Sequence, residues 1–472
     1  MGRRLIVLLA LAAALPAAAA PSHAATGYTS ADVRVTMDDG VSIAATLLEP
    51  TGIQGKVPAI LMLHGIGGTR TDLLPIAQLF AGQYAVLVPD FRGHGQSGGI
   101  VSVDGPREIQ DVRELVAWLS ARPEVDAAHI GGWGISLGGG AILRALVEGV
   151  PFAAVETVET WTDLYGALAP GNLPKTGAIF SLLNSVQPGR LDPAVTELKN
   201  DAFAGRNVAR QRAFARVRSS RQLLSRVRTP LLMMQGRRDF VFDIAQATAA
   251  MRLVRAPHFL YVGDFGHSPS TFPGPDIGYV QALAGKWFSR YLGGTGPMFA
   301  RQTVELAPDP YARFAYLRYR RLPATRRTAF SLAGAAALGQ DGKLVRSTAP
   351  TRKRLETFGA GTVTVSARLA GGWSRLVAVV TARPRHGSEV VVTEGGVSTR
   401  GLSGRHRLTI RLIDDATLIP AGSRLTLTIA SSSMAQDPGN LLYLDLPMPR
   451  GARVAIGRVR LRLPVLRNPI SR

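Results

Sequence analysis

Gly132-Trp133-Gly134-Ile135-Ser136-Leu137-Gly138-Gly139-Gly140 stands between an apolar run, His129 to Trp133, and a helical stretch, Ala141 to Glu148. It contains the pattern G-x-S-x-G in a strand–turn–helix setting. Small residues around the serine let the backbone turn sharply and present the hydroxyl above the end of a sheet, while the helix start aims backbone N–H groups at the same point. The Leu137 N–H is the expected first donor to a developing oxyanion. Ser136 is the expected nucleophile.

A serine hydroxyl needs a base, and histidine has the suitable unperturbed pKa. Of the eight histidines, His23 falls in the amino-terminal leader, His64 and His94 in upstream strand-end loops, His129 and His258 just before strands, and His386 and His406 in the carboxy-terminal part. His267, in Gly263-Asp264-Phe265-Gly266-His267-Ser268, follows a strand and precedes the closing helix, at the right end of the sheet. The third member is a carboxylate that orients the imidazole. Asp239, in Gln235-Gly236-Arg237-Arg238-Asp239-Phe240, fits the order serine, aspartate, histidine; Asp243 and Asp264 compete with it.

Outward from this centre, Val33 to Leu292 alternates short apolar runs with amphipathic stretches, the pattern of a mostly parallel sheet covered by helices. Val57 to His64, Tyr84 to Pro89, Phe152 to Val158, Pro230 to Gln235 and His258 to Val262 read as strands, and Asp104 to Ala121 as a helix. The loop His64-Gly65-Ile66-Gly67-Gly68 is placed to supply a second oxyanion donor, the Ile66 N–H. Asp90-Phe91-Arg92-Gly93-His94-Gly95-Gln96-Ser97 reads as a glycine-rich turn held by an Asp–Arg pair. Trp161 to Val227 loses the strand signal and reads as a helical cap (about 161–228), with one helical stretch at Ala202 to Arg218. Its arginines, Arg206, Arg210, Arg212, Arg216, Arg218 and Arg221, read as a solvated face, with an anion-binding face as the alternative.

After Gly293-Gly294-Thr295-Gly296-Pro297, helical periodicity gives way to short alternating strands: Gly361 to Ala370, Arg375 to Ala382, Glu389 to Thr393, His406 to Ile413 and Ser423 to Ala430. The expected fold class is therefore α/β, with a carboxy-terminal all-β sandwich or jelly roll. The expected division is 1–24 leader, 25–296 catalytic domain and 297–472 β-domain, the last a scaffold that borders the pocket.

Composition sets outer bounds. The chain of 472 residues is 46% hydrophobic and has no cysteine, which excludes a thiol nucleophile and cysteine metal sites. Met1-Gly2-Arg3-Arg4, the apolar run to Leu15 and the small residues ending at Ser22-His23-Ala24 have the layout of a cleavable secretory signal peptide; the run is shorter than the ~20 residues that span a bilayer. The net charge of +22 is spread along the chain without a nucleic-acid motif. It is read as a basic surface facing an anionic cell envelope, and no nucleic-acid partner is expected. No metal or organic cofactor is called for, and no oligomeric state is read from the sequence.

The segments HGIGG, DFRGHGQSGG, GWGISLGGG, GRRDFVFD and GDFGHS, in this order between Val33 and Leu292, resemble the α/β-hydrolase superfamily. Val391 to Gly396, Ile419 to Leu425 and Ala430 to Ser433 resemble the carboxy-terminal jelly roll of the Xaa-Pro dipeptidyl-peptidase and cocaine-esterase-like (CocE/NonD) group. The resemblance implies acyl transfer to water from esters or amino-terminal dipeptides, with Ser136, Asp239 and His267 as the triad. Some members of that group place a tyrosine hydroxyl in the oxyanion hole; here the matching loop has Ile66, which points to a backbone donor. A dipeptidyl peptidase must also hold a free amine, and Glu156, Glu159 and Asp163, beside Trp161, are the carboxylates available for substrate binding. An acyltransferase and a catalytically silent envelope-binding protein are the remaining readings.

Overall fold

The computed structural model describes residues 27–467, apart from Phe314 and Ala333. The signal-peptide reading at Met1 to Ala24 lies outside the described residues. The first part of the chain runs β1 (Tyr28–Thr36), β2 (Ser42–Pro50), β3 (Val57–Leu63), α1 (Arg70–Ala77), β4 (Ala85–Pro89), α2 (Pro106–Ser120), β5 (Val125–Ile135), α3 (Leu137–Val147) and β6 (Ala154–Val158). It continues through α4 (Leu164–Leu168), α5 (Thr176–Asn184), α6 (Pro193–Ala204), α7 (Val208–Arg216), β7 (Leu231–Gly236), α8 (Ile244–Leu253), β8 (His258–Gly263), α9 (Ile277–Tyr291), β9 (Gln302–Leu306) and β10 (Leu317–Tyr319).

These strands form one ten-stranded sheet in the order β1-β2-β4-β3-β5-β6-β7-β8-β9-β10. From β4 to β9 every neighbour pairs in parallel, and antiparallel strands close both edges. The parallel strands read as continuous apolar runs because both faces are covered. Leu73, Phe80, Leu283, Trp287 and Phe288, from the α1 and α9 regions, fill one side, and Ile109, Val112, Ala141, Ile142 and Ile244, from α2, α3 and α8, fill the other.

Two expectations are corrected here. The change of sequence character near 297 does not end the first sheet, because β9 and β10 still pair with it; both are short, and the periodicity of a five- or three-residue strand is weak. The helix expected over Ala202 to Arg218 is instead the end of α6 and the whole of α7. Gly205, with φ of 60°, closes α6 in the left-handed region that glycine enters without a Cβ penalty.

The second part comprises β11 (Thr325–Leu332), β12 (Ala336–Leu338), β13 (Leu344–Ser347), β14 (Leu355–Glu356), β15 (Gly359–Ala370) and β16 (Arg375–Arg383). It ends with β17 (Val390–Ser398), β18 (Gly404–Asp415), β19 (Leu418–Ile419), β20 (Arg424–Ala430) and β21 (Arg453–Leu466). Two antiparallel sheets, β11-β21-β15-β18 and β13-β20-β16-β17, enclose a core that includes Val363, Trp373, Leu376, Ile410, Leu427 and Leu461. The sandwich docks on the loop after β7. Arg237 and Glu356 form a buried ion pair of 2.6 Å, Ala416 N–H donates to the Arg237 carbonyl at 2.9 Å, and Asp414 N–H donates to Asp243 at 3.2 Å.

Candidate active site

Ser136 sits between β5 and α3 with φ of 53° and ψ of −115°, a backbone state that non-glycine residues rarely enter. The glycines around it make the turn sterically feasible. A Cβ on Gly134 would run into the Gly138 carbonyl, and one on Gly138 would run into the Leu63 carbonyl of the neighbouring strand. Ser136 N–H donates to Val158 O at 2.9 Å and the Ser136 carbonyl accepts from the Thr160 hydroxyl at 2.7 Å, so the strained turn is clamped from β6.

The loops after β7 and β8 bring Asp239 and His267 to this point. His267 Nε2 lies 3.0 Å from Ser136 Oγ, and His267 Nδ1 lies 2.7 Å from Asp239 Oδ2. A carboxylate only accepts, so Nδ1 carries a proton, and in the neutral imidazole Nε2 is the nitrogen left to accept the serine proton. Asp239 is held in turn by the Val241 and Phe242 amides, at 3.0 and 2.9 Å from Oδ1. The Phe242 ring meets the imidazole edge to face, with centroids 5.3 Å apart. Burial works against the imidazolium, but the Asp239 charge and hydrogen bond, with Glu159 behind them, push His267 up to about 9. The competing acids are engaged elsewhere: Asp264 lies 3.5 Å from Arg238, and Asp243 accepts from Asp414 N–H.

Backbone N–H groups flank Ser136 at the start of α3. The Gly138 and Gly140 amides are spent on the His64 and Ser136 carbonyls, whereas Leu137, the first residue of α3, has no acceptor within the helix. A Cβ on Gly65 would stand 3.4 Å from Ser136 Cβ, so the loop carrying Ile66 passes directly over the serine. His64 is buried and spans this loop, bonding Gly65 O at 2.7 Å and accepting from Phe91 N–H at 2.9 Å. Burial depresses it to about 4, which keeps it a neutral structural link.

Ser136, Leu137 and Ile66 open onto a cleft of about 860 Å³ under the cap. Leu164, Leu182, Leu198, Phe214 and Phe242 are among its walls; Lys199 is the one charged residue among the described lining residues. Trp161 also lines the cleft and donates to Arg218 O at 2.8 Å. The other residues expected at the substrate are elsewhere. Glu156 is buried within β6, Asp163 caps α4 through Gly166 N–H, and Glu159 lies 3.7 Å from His267 Nδ1, outside the lining.

Two further readings change, and one stands in part. The turn at 90–97 is held by charge, but Asp90 pairs with Arg70, and Arg92 with Asp111 at 2.7 Å, because the Asp90 oxygens are taken by the Arg70 guanidinium and by the Arg70 and Gln96 amides. For the cap arginines the solvated reading stands over the anion-binding alternative at Arg206 and Arg210, which are exposed and pair with Asp201 or Glu197, whereas Arg218 is buried and donates to the Ser102, Val103 and Phe214 carbonyls. No described residue of the sandwich lines the cleft; the sandwich contacts the back of the Asp239 loop instead. The sequence reading missed Phe242, whose only signal was its place in the run Asp239-Phe240-Val241-Phe242. Glu159, Asp239 and His267 also present ligand atoms within 4.8 Å of one another, as a metal trio would, but two of those atoms are already hydrogen-bonded to each other.

The fold is that of an α/β-hydrolase, and Ser136, His267 and Asp239 stand in one hydrogen-bonded line at the carboxyl ends of its parallel strands. Residues 39–269, just under half of the chain, match the model of the X-Pro dipeptidyl-peptidase (S15) family. Its fold is that of a CocE/NonD family hydrolase from Staphylococcus aureus, with a TM-score of 0.71 at 14% identity over 94% of this chain and 98% of that one. It is also that of an α-amino acid ester hydrolase, with a TM-score of 0.66 at 15% identity over 96% and 98%. Among curated proteins, the quorum-quenching protein AidA of Acinetobacter baumannii is 33% identical over 136 residues, 28% of this chain and 44% of that protein. The chain spans less than half the length of the curated relatives it matches.

Proposed function

We propose that this chain is a secreted hydrolase of carboxylic esters that bear a sizeable apolar group. Ser136 attacks the carbonyl, His267 takes its proton, and Asp239 orients and stabilises the resulting imidazolium. The Leu137 and Ile66 amides hold the tetrahedral oxyanion, and water activated by His267 then hydrolyses the acyl-enzyme. The observation that carries the reading is the unbroken hydrogen-bond chain from Asp239 through His267 to Ser136 at the floor of an apolar cleft. Secretion rests on the leader layout of Met1 to Ala24, and the charge of +22 favours retention near an anionic envelope. Among the described residues no helix is long and apolar enough to cross a membrane.

The S15 match favours a second reading, release of amino-terminal dipeptides. That activity calls for a carboxylate facing the substrate amine, and no described cleft residue supplies one. An acyltransferase would share every step up to the acyl-enzyme. A silent envelope-binding protein would have no use for the aligned hydroxyl.

Turnover of p-nitrophenyl esters beside Gly-Pro and Ala-Pro p-nitroanilides, by the mature protein and Ser136→Ala, tests the proposal. Serine-dependent ester cleavage is expected. Cleavage of the anilides alone would replace it with the peptidase reading, an acceptor-dependent new ester would identify a transferase, and no serine-dependent turnover would sink it.

A further inference from the structure

Glu159 is the buried ionisable group that the proposed mechanism leaves unused. It follows β6 directly, and its N–H donates to Met234 O at 2.8 Å, prolonging the pairing of β6 with β7. It then turns with φ of 50°, in the left-handed region where a non-glycine residue persists only if its surroundings enforce it. The next residue, Thr160, is tied to the Ser136 carbonyl. The chain thus spends backbone strain on driving a carboxyl into the protein interior behind the catalytic imidazole.

There, Glu159 Oε2 stands 3.7 Å from His267 Nδ1, the same ring nitrogen that bonds Asp239. Its other oxygen has no hydrogen-bond partner among protein atoms. Two carboxyls therefore share one edge of one imidazole, and the charged groups acting on Glu159 are His267, Asp239 and the more distant Asp276 at the start of α9. A buried carboxyl without a hydrogen-bonded cation is costly to keep, and an amide or an aliphatic side chain would fill the same space. Burial above all, opposed by the His267 charge and reinforced by the Asp239 and Asp276 charges, drives Glu159 up to about 8, so it gains charge in the range where His267 loses it.

We propose that Glu159 is a positioning residue for His267: its carboxyl tunes the basicity of the imidazole and takes over as acceptor at Nδ1 when the Asp239 carboxylate is removed. This rests on the serine-hydrolase reading of the site. The distance to be closed is under one ångström, within reach of a small side-chain rotation, and Oε1 is free to remain protonated while Oε2 accepts. Removing the charge from position 159 takes away one of the two groups that favour the imidazolium, so His267 loses its proton at lower pH.

The test compares four forms of the mature protein, wild type, Glu159→Gln, Asp239→Asn and the double variant, by the pH dependence of kcat/KM on a p-nitrophenyl ester, with Ser136→Ala as baseline. Glu159→Gln is expected to move the rising limb by about one pH unit toward acid, and the double variant to fall about tenfold or more below Asp239→Asn. An unmoved limb together with a double variant equal to Asp239→Asn overturns the proposal and leaves the serine mechanism standing; turnover that survives Ser136→Ala overturns both. If the Gln variant does not fold, the wild type decides: the downfield Nδ1 proton of His267 should titrate in two steps, and a single step refutes the coupling.

Discussion

Arg237 and Glu356 lie 2.6 Å apart, both about 1% exposed, and join the loop that carries Asp239 to the β-sandwich. Arg237 also donates to the Ala307 carbonyl, just after β9, so one guanidinium binds three elements. Breaking a buried pair by removing one partner strands the other charge, at a cost of about 3–5 kcal/mol. Glu356→Ala should therefore lower Tm markedly and, by loosening the Asp239 loop, reduce kcat more than it changes KM. Calorimetry and steady-state kinetics on the same sample check this; an unchanged Tm would show that the sandwich does not brace the loop.

The steric demands at the elbow make a second prediction. Gly138→Ala places a Cβ against the Leu63 carbonyl, a backbone atom that cannot rotate away. A loss of about 3 kcal/mol in stability is expected, together with loss of turnover. Gly149→Ala is the control for glycine replacement away from the site: nothing lies within 4 Å of its Cβ position, although its φ of 86° still imposes backbone strain.

The pH profile follows from His267. Its imidazole must be neutral to take the Ser136 proton, and its surroundings hold it up to about 9 in the free protein. The rate kcat/KM should rise with pH through neutrality toward that value, where an ordinary histidine base would level off near 6.5. A plateau reached below pH 7 would contradict the strong hold of Asp239 and Glu159 on the ring.

Stability should run the other way. Burial raises Glu156 and Glu159 to about 8 and Glu394 and Asp415 to about 7, well above the values near 4 of unfolded carboxyls. A raised folded pKa means that the native state binds the proton more tightly. The contribution is full below about pH 4 and is lost as pH climbs through 7 and 8. Thermal unfolding followed from pH 5 to 9 should show Tm falling steadily; a maximum near pH 8 would argue that these carboxyls are solvated.

The cleft gives a specificity prediction. Leu198 projects from the cap helix α6 into the cleft. Leu198→Trp should cut kcat/KM for long-chain esters about tenfold or more while sparing acetate esters, since each methylene in such a pocket is worth about 1–3 kcal/mol. Equal losses on both substrates would mean that the acyl chain does not lie beneath the cap.

Much of the parallel sheet was legible because buried strands are short apolar runs bounded by turn residues, and Val57 to His64 and Tyr84 to Pro89 matched β3 and β4 within a residue. The long strand β21 was missed although Val454, Ile456, Val459, Leu461, Leu463 and Val465 all face the core. A bulge against β15 between Val365 and Ala367 shifts its phase by one residue, which breaks the period-two signal. Glu159 and Trp161 were singled out together, yet only Trp161 reaches the cleft.

The order of motifs, the serine between two glycines and the scarcity of histidines determined, without any coordinates, which side chains could meet, because local backbone chemistry at a strand–turn–helix is written in neighbouring residues. Which carboxylate holds which charge was decided by tertiary structure alone. Asp90 found Arg70, Arg92 found Asp111, and Glu159 turned behind the imidazole instead of toward the substrate. Side-chain pairing across a sheet depends on the direction each loop leaves its strand, and that direction is set by packing of residues far apart in the chain.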